Sequence, residues 1–507
     1  MYYFLTHNIG DKLAGLEIAM INRVNIFNKA NLANKIVTFQ YNRELHAFSQ
    51  KWQIKDENLI NLFDYIQKAD EPNLVMHDNE LTNLASLING SDFTWDESIE
   101  QPRTLTDKQG TLRRKIEYFA NGKLSRISFF DQFGKLYRKF SFDVRGFLSL
   151  IAYYDQFERL FQEVMLDTTG EEAYYSYYKY NNDTNQVANT LLEVHKDGKI
   201  YPFTTLQALT AWFYDEITLD EQATTFIADR SYMVDEPLFN MKKKVKKIEF
   251  WHNTFTDNYQ PDGNLVPVLI NELNHAEQLT AYFVPTKQEA HDLQERINDY
   301  LGHDKLKVLS IPVALNKPQQ NATAVKNPDK IAMVARIEPQ KNISEAILAF
   351  KTVVNARPTT QLHIYGYILN QNTMAELNAL VKELGLTQHV HFENFTTDID
   401  SIYTDAKAVW LTSRNEGWGM VLNEAMTYGV PVFSYDVTYG PAEIIKDGVN
   451  GYLIEKNNHE ALAQKTLSVL NDEKLWQILR DGALESSRTY YLPNMVKRWK
   501  RRLAAIN

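Results

Sequence analysis

Four glycines spaced by twelve residues, Gly110, Gly122, Gly134 and Gly146, constrain this chain more than any other feature. Each is followed two positions later by a leucine: Leu112, Leu124, Leu136 and Leu148. Between them lie segments that alternate polar and aromatic residues, such as Arg126-Ile127-Ser128-Phe129-Phe130 and Arg138-Lys139-Phe140-Ser141-Phe142. Twelve residues accommodate one strand and one tight turn, and glycine supplies the positive φ that the turn needs. The spacing predicts an antiparallel β-meander from about residue 100 to 200. It runs through Tyr174-Tyr175-Ser176-Tyr177-Tyr178 and ends near Asp197-Gly198. Its rings either pair across strands and hold the sheet together, or present a face that binds another subunit or an extended acceptor.

Around the meander the pattern is α/β. Tyr2-Tyr3-Phe4-Leu5 reads as a strand, and apolar residues recur at helical spacing from Leu16 through Ile18, Val24 and Phe27. Lys35 to Phe39 reads as the next strand, which opens a βαβ unit. Strand-like runs return at Thr224 to Ala228, Ile248 to His252, Leu279 to Val284 and Val308 to Ile311. The meander (100–200) is therefore expected as an insertion in a discontinuous α/β domain, residues 1–99 and 201–315. The polar stretch 315–329 carries two prolines and reads as a linker. A second α/β domain, 316–489 with the linker counted in, has its first strand at Ile331 to Ala335. Further strands follow at Gln361 to Tyr365, Val390 to Phe392, Ala408 to Leu411 and Val430 to Ser434. Helical segments at 344–355, 373–384 and 420–427 alternate with them, which argues for a parallel, doubly wound sheet. The tail, 490–507, has Val496, Trp499 and Leu503 among five basic residues between Lys497 and Arg502. It reads as an amphipathic helix that packs back on the body rather than on a membrane.

Length and composition set the limits. A chain of 507 residues suggests about three domains, which the division above supplies. The formal charge of −10 argues against a general nucleic-acid binder. The absence of cysteine excludes disulfides, thiolate zinc sites and cysteine nucleophiles. No run of about 18 apolar residues and no leader pattern at Met1 are found, so the expectation is a cytoplasmic protein.

Chemistry is expected at the carboxyl ends of the parallel strands. After the strand ending at Ala335 come Arg336 and, five positions on, Lys341: two cations for a phosphorylated ligand. After the strand ending at Leu411 comes Thr412-Ser413-Arg414-Asn415-Glu416-Gly417-Trp418-Gly419-Met420. Gly417 and Gly419 fall where a helix begins, and free amides there bind anions such as a diphosphate. Glu416 and Glu424, eight residues apart, suit sugar hydroxyls. Each feature alone has a bland reading, as a solvated face or a helix-capping acid. The ordered set is far more specific.

With those motifs, and with Thr438-Tyr439-Gly440-Pro441 and Asp447-Gly448-Val449-Asn450-Gly451-Tyr452-Leu453, the chain resembles the retaining glycosyltransferases of family 4, which have the GT-B fold. That fold sets two Rossmann-like domains face to face across a cleft. The inserted meander makes it similar to the branch that contains teichoic-acid α-glycosyltransferases and the accessory-secretion glycosyltransferases of serine-rich adhesins in Gram-positive bacteria. The resemblance implies roles. Arg336 and Lys341 would hold the diphosphate, Glu416 the sugar hydroxyls and Glu424 the ribose. Gly417, Trp418, Gly419 and Met420 would lie along the donor. Gly15 would belong to the N-terminal glycine loop, although Ala14-Gly15 stands where the family commonly has two glycines. His252 would sit in the donor-sugar site; without the resemblance it reads as a core histidine.

The implied reaction moves glucose or N-acetylglucosamine from a UDP-sugar to a hydroxyl, with retention and with no metal or other cofactor. The first acceptor reading is Ser/Thr of a serine-rich adhesin, the alternative a polyol phosphate chain of teichoic acid. A catalytically silent adaptor homologue is the third reading, against which the complete charged set speaks. The expected partners are the UDP-sugar, the polymeric or protein acceptor, and another copy or a partner protein at the meander. Nucleic acid is not expected; a peripheral contact at the inner membrane face is the alternative to a purely cytoplasmic location.

Overall fold

A computed structural model describes residues 1–70, 103–229, 231–319 and 326–506. The expected first residues of the meander, 100–102, and the linker positions 320–325 lie outside the described residues. The chain forms two compact units, Met1–Ala14 with Ala33–Lys247, and Gly15–Leu32 with Ile248–Asn507.

The first unit holds a nine-stranded antiparallel sheet whose strands follow chain order from Thr104–Thr106 to Lys199–Phe203. Five consecutive strands are seven residues long, beginning at Leu112, Leu124, Leu136, Leu148 and Leu160. Five-residue turns separate them, which accounts for the twelve-residue period. In each turn the fourth residue has positive φ: 82° at Gly110, 81° at Gly122, 76° at Gly134 and 119° at Gly146. The period continues beyond the four glycines, through Glu158 (φ 61°) and Gly170 (φ 89°). Except at Gly122, where Phe119 takes that position, an aspartate three residues earlier sets the turn. Asp131 Oδ1 accepts from the amides of Phe133 (2.8 Å) and Lys135 (2.9 Å). Asp155 does the same for Phe157 and Arg159. This side-chain mimicry of a turn lets Glu158 occupy a glycine position.

The sheet does not end at Asp197-Gly198. Both residues have positive φ, 52° and 71°. They form a two-residue hairpin turn of the primed kind. Lys196 then pairs with Lys199, and one more strand runs to Phe203.

Alternate turns have opposite surroundings. Those at 143–147 and 167–171 dock on residues 43–69: Arg145 Nη2 meets Asp64 at 2.6 Å, Lys68 Nζ meets Asp167 at 2.9 Å, and Val144 N–H donates to Arg43 O. The turns at 131–135 and 155–159 instead carry Phe133 and Phe157, which are 75% and 61% exposed. Within the sheet, Phe129 and Phe140 pack edge to face at 4.7 Å, and Arg138 lies over both rings. Most of the rings thus hold the sheet together, and a few at one end face solvent.

The same unit contains four parallel strands in the order Thr225–Ala228, Tyr2–Leu5, Asn34–Thr38, Leu59–Asn61. Leu209, Phe213 and Tyr214 of helix Leu206–Ile217 share one core with Tyr3, Phe226 and the sheet residues Leu150, Met165 and Tyr174. That shared core ties the meander to the parallel strands.

In the second unit, Ala281–Val284 pairs in parallel with Lys307–Ser310 on one side and with residues 248–250 on the other. Helix Gly15–Lys29 meets the terminal helix Leu492–Ala504 through Phe27 and Trp499, edge to face at 5.1 Å. A six-stranded parallel sheet follows the order Val390–Glu393, Gln361–Tyr365, Lys330–Val334, Ala408–Leu411, Val432–Asp436, Gly451–Glu455. Its core includes Ile331, Met333, Ile364, Trp410 and Phe433, all at 0% exposure. The strand order reverses between Lys330–Val334 and Ala408–Leu411, and ligands of open α/β sheets bind at such a switch point.

Candidate functional site

The loops leaving those two central strands carry the cations and the acid singled out in the sequence. Residues 339–341 form a single 3-10 turn that ends in Asn342, in the left-handed conformation (φ 51°). The turn is tied to the facing loop by several bonds. Thr412 Oγ1 donates to the carbonyls of Lys341 (3.2 Å) and Asn342 (3.1 Å). Arg414 N–H donates to Gln340 O, and Gln340 Nε2 donates to Asn415 O. The two loops therefore form one platform, and on it Lys341 Nζ lies 2.6 Å from Glu416 Oε1. Arg336 is more exposed and lies 2.8 Å from Glu338 Oε1, without the alignment of a hydrogen bond. Glu338 was not anticipated from the sequence, where it stands among charged residues of a loop.

Glycine is required on this platform by close approach. A Cβ on Gly417 would lie 1.9 Å from the carbonyl oxygen of His252, so residue 417 and the His252 backbone are in contact. A Cβ on Gly440 would lie 2.5 Å from Trp418 O. Gly366, which sequence reasoning passed over, does the same beside Arg336: its Cβ would lie 2.0 Å from Ala335 O. The only sequence signal for it is a glycine directly after a strand.

Helix Met420–Thr427 begins at Gly419 (φ 91°), and no side chain caps it. Its first amides point toward the platform with the positive end of the helix dipole behind them. Gly15, the first residue of helix Gly15–Lys29, lies beside it: a Cβ there would be 3.9 Å from Met420 Sδ. Two helix starts thus converge, an arrangement suited to an anion.

Trp418 contributes its backbone here. Its ring is buried at 4% exposure, donates to Asn423 Oδ1 at 2.6 Å and packs edge to face on Tyr490. The His252 ring stacks on Phe250 at 4.4 Å. Glu424 is half-buried and accepts from Tyr403 O–H at 3.2 Å. Burial raises its carboxyl above the usual range, and the Tyr403 bond offsets part of that rise. The structure thus brings Lys341 and Glu416 into direct contact, places Gly417 on His252 and sets Gly15 by Met420. It leaves Glu424 on its own bond to Tyr403.

Residues 316–485 match the family described as glycosyl transferases group 1. The poly(glycerol-phosphate) alpha-glucosyltransferase of Bacillus subtilis is 26% identical over 332 residues, 64% of this chain and 47% of that protein. The poly(ribitol-phosphate) alpha-N-acetylglucosaminyltransferase of Staphylococcus aureus is 22% identical over 515 residues, 98% of each chain. The UDP-N-acetylglucosamine–peptide N-acetylglucosaminyltransferase GtfA subunit of Streptococcus agalactiae is 22% identical over 93% of this chain and 92% of that one. Among solved structures, TarM superposes with a TM-score of 0.81 at 22% identity, covering 100% of this chain and 98% of that one. The GtfA/B complex gives a TM-score of 0.79 at 18% identity, covering 100% and 99%. The fold is that of these proteins: GT-B, with an antiparallel nine-stranded sheet in its N-terminal region.

Proposed function

We propose that this chain, whose residues 316–485 match the group 1 glycosyltransferases, transfers a hexose from a UDP-sugar to hydroxyls of a bacterial cell-surface polymer, with retention of the α configuration. The observation that carries this reading is the Lys341–Glu416 contact of 2.6 Å beside an uncapped helix start. A cation for phosphate and a carboxylate for sugar hydroxyls stand side by side, as a nucleoside diphosphate sugar requires.

Departure of the diphosphate builds negative charge on its β-phosphate. Arg336, Lys341 and the amides at the start of helix Met420–Thr427 stabilise that charge, which is electrostatic catalysis without a covalent intermediate. The lysine exchanges Glu416 for the phosphate, and the freed carboxylate accepts from sugar hydroxyls. Glu424 accepts from the ribose diol. The leaving phosphate takes the acceptor proton on the same face of the sugar. These groups neutralise the developing charge themselves, so the reading needs no metal.

For the acceptor, a polyol phosphate chain is the reading favoured by the match to the S. aureus enzyme over 98% of both chains. Ser/Thr of a serine-rich protein is the second reading, supported by the S. agalactiae relative over nearly the same span. The exposed Phe133 and Phe157 give the nine-stranded sheet a face for a second copy or a partner protein. The deciding assay offers radiolabelled UDP-glucose and UDP-N-acetylglucosamine with a polyol phosphate polymer or a serine-rich peptide. Label is expected in the polymer. Label in the peptide alone moves the acceptor to the second reading, and release of free sugar without transfer to either sinks both.

A further inference from the structure

The terminal helix Leu492–Ala504 has two faces with different fates. Met495, Trp499 and Leu503 are buried, with Trp499 set edge to face against Phe27 at 5.1 Å and Phe283 at 5.5 Å. Its apolar side is therefore consumed inside the protein. Its basic side forms one wall of a cavity of about 510 Å³. Six cations line that cavity: Lys287, Lys446, Lys497, Arg498, Arg501 and Arg502. A single acid, Glu443, is among the lining residues. It is already engaged, accepting from Lys287 N–H at 2.7 Å with Lys287 Nζ at 3.7 Å.

This is an unusual concentration of positive charge in a chain of net charge −10. Among the described residues, Lys446, Lys497, Arg498 and Arg501 have no ion-pair partner. Arg502 is fixed as a wall: its Nε donates to Ser310 O at 2.7 Å and its Nη2 to Ser310 Oγ at 3.1 Å. Burial and then the charges of Arg501 and Arg498 hold its pKa down, so the cations feel one another. Like charges gathered without acids are stabilised by an anionic ligand. From Lys497 to Arg502 the helix advances about 7.5 Å, enough to meet more than one phosphate.

We propose that this cavity binds the phosphodiester backbone of a polyanionic acceptor, gripping several phosphates at once through residues that the transfer site does not use. The proposal rests on the polyol phosphate reading of the acceptor. Its concave shape and the burial of the helix's apolar side fit a threaded chain better than a bilayer surface, which needs a flat face and an insertable apolar one. Binding by several phosphates makes affinity steeply salt-dependent, because each neutralised charge releases a counterion.

The test reverses three exposed cations of the cavity together, Lys446→Glu, Lys497→Glu and Arg501→Glu, in the full chain. A control reverses three exposed lysines elsewhere, Lys382→Glu, Lys456→Glu and Lys474→Glu, for the same change in net charge. Fluorescently labelled poly(glycerol phosphate) is titrated by anisotropy, and KM is measured for that polymer and for a single-unit glycerol phosphate acceptor. The cavity variant is expected to raise Kd and polymer KM at least about tenfold and to flatten their salt dependence. The KM for UDP-sugar and for the single-unit acceptor should stay within twofold, and the control should match the wild type. An unchanged polymer Kd, or an equal rise in the control, overturns the proposal. Binding of phosphatidylglycerol vesicles that is lost in the cavity variant while polymer binding persists also overturns it, in favour of a membrane. If the wild type binds the polymer through this cavity but transfers nothing to it, the acceptor reading fails and the binding groove stands.

Discussion

Arg145 and Lys341 are both cations set against carboxylates away from bulk water, and they are buried to the same degree. The Arg145–Asp64 side chains are 17% and 12% exposed, the Lys341–Glu416 side chains 15% and 11%. What separates them is how many bonds each cation has left. Arg145 has four bonds for its five N–H groups: it meets Asp143 Oδ1 at 2.7 Å, Asp143 Oδ2 at 3.1 Å, Asp64 Oδ1 at 2.6 Å and the carbonyl of Ala69 at 2.8 Å. Burial works against its charge, and the two aspartates more than reverse that, so it stays charged above its ordinary range. Lys341 makes one such side-chain bond among the described residues, to Glu416, and keeps two of its three N–H donors. The first arrangement is a rivet and the second a socket. Burial alone does not tell structure from function; the unfilled donors do.

Removing the rivet should have the largest effect. Arg145→Ala leaves two carboxylates facing each other without their cation, and is expected to cost about 3 kcal/mol or more. Urea unfolding should register it, while kcat per folded molecule for a single-unit acceptor stays within twofold. A loss of transfer without a loss of stability would reverse the two assignments. Lys341→Ala comes next. Transfer should fall at least about 100-fold, the scale of losing one oxyanion-type donor, with the unfolding midpoint little changed. Near-normal turnover would remove Lys341 from the site. Gly134→Ala is smaller: it forces a side chain into φ 76° and should cost about 1–2 kcal/mol in the same urea measurement. A neutral result would mean that the turn relaxes.

The smallest effect is a pH dependence at the edge of the rivet. Burial tends to lower the pKa of His46, but its 2.9 Å bond to Asp64 Oδ2 outweighs burial and raises it above 6.5. Its contribution is therefore complete below pH 6.5 and is lost as pH climbs through the raised value. The stability advantage of wild type over His46→Gln should be larger at pH 6 than at pH 8.5, by less than about 1 kcal/mol. An advantage that grows with pH would contradict the direction of the shift.

Much of this was legible in the chain, for different reasons in the two units. Strand Gln361–Tyr365, strand Ala408–Leu411 and helix Met420–Thr427 fall where their apolar patterns and the glycine at 419 put them. Local signals suffice for such elements, because each is decided by its own side chains. The meander was visible through its glycines, yet the turn at Glu158 was not, because there Asp155 supplies the bonds that make a left-handed residue tolerable. Asp197-Gly198 looked like an ending and is a hairpin, since the same dipeptide serves both. In the site, the spacing of Arg336, Lys341 and Glu416 was readable, but the contacts of Gly417 with His252 and of Gly366 with Ala335 were not. Those are meetings of backbones far apart in sequence, and nothing in a glycine states what passes beside it.

Seven residues of strand and five of turn also make the sheet a ruler. One period turns the chain around, and two periods bring it back running in the same direction with every side chain on its original face. Each pair widens the sheet by two strands, about 10 Å. A chain built this way can change its reach by gaining or losing 24 residues without disturbing the docked turns on one side or the register of its neighbours. The insertion of a single residue would put the rings on the wrong face.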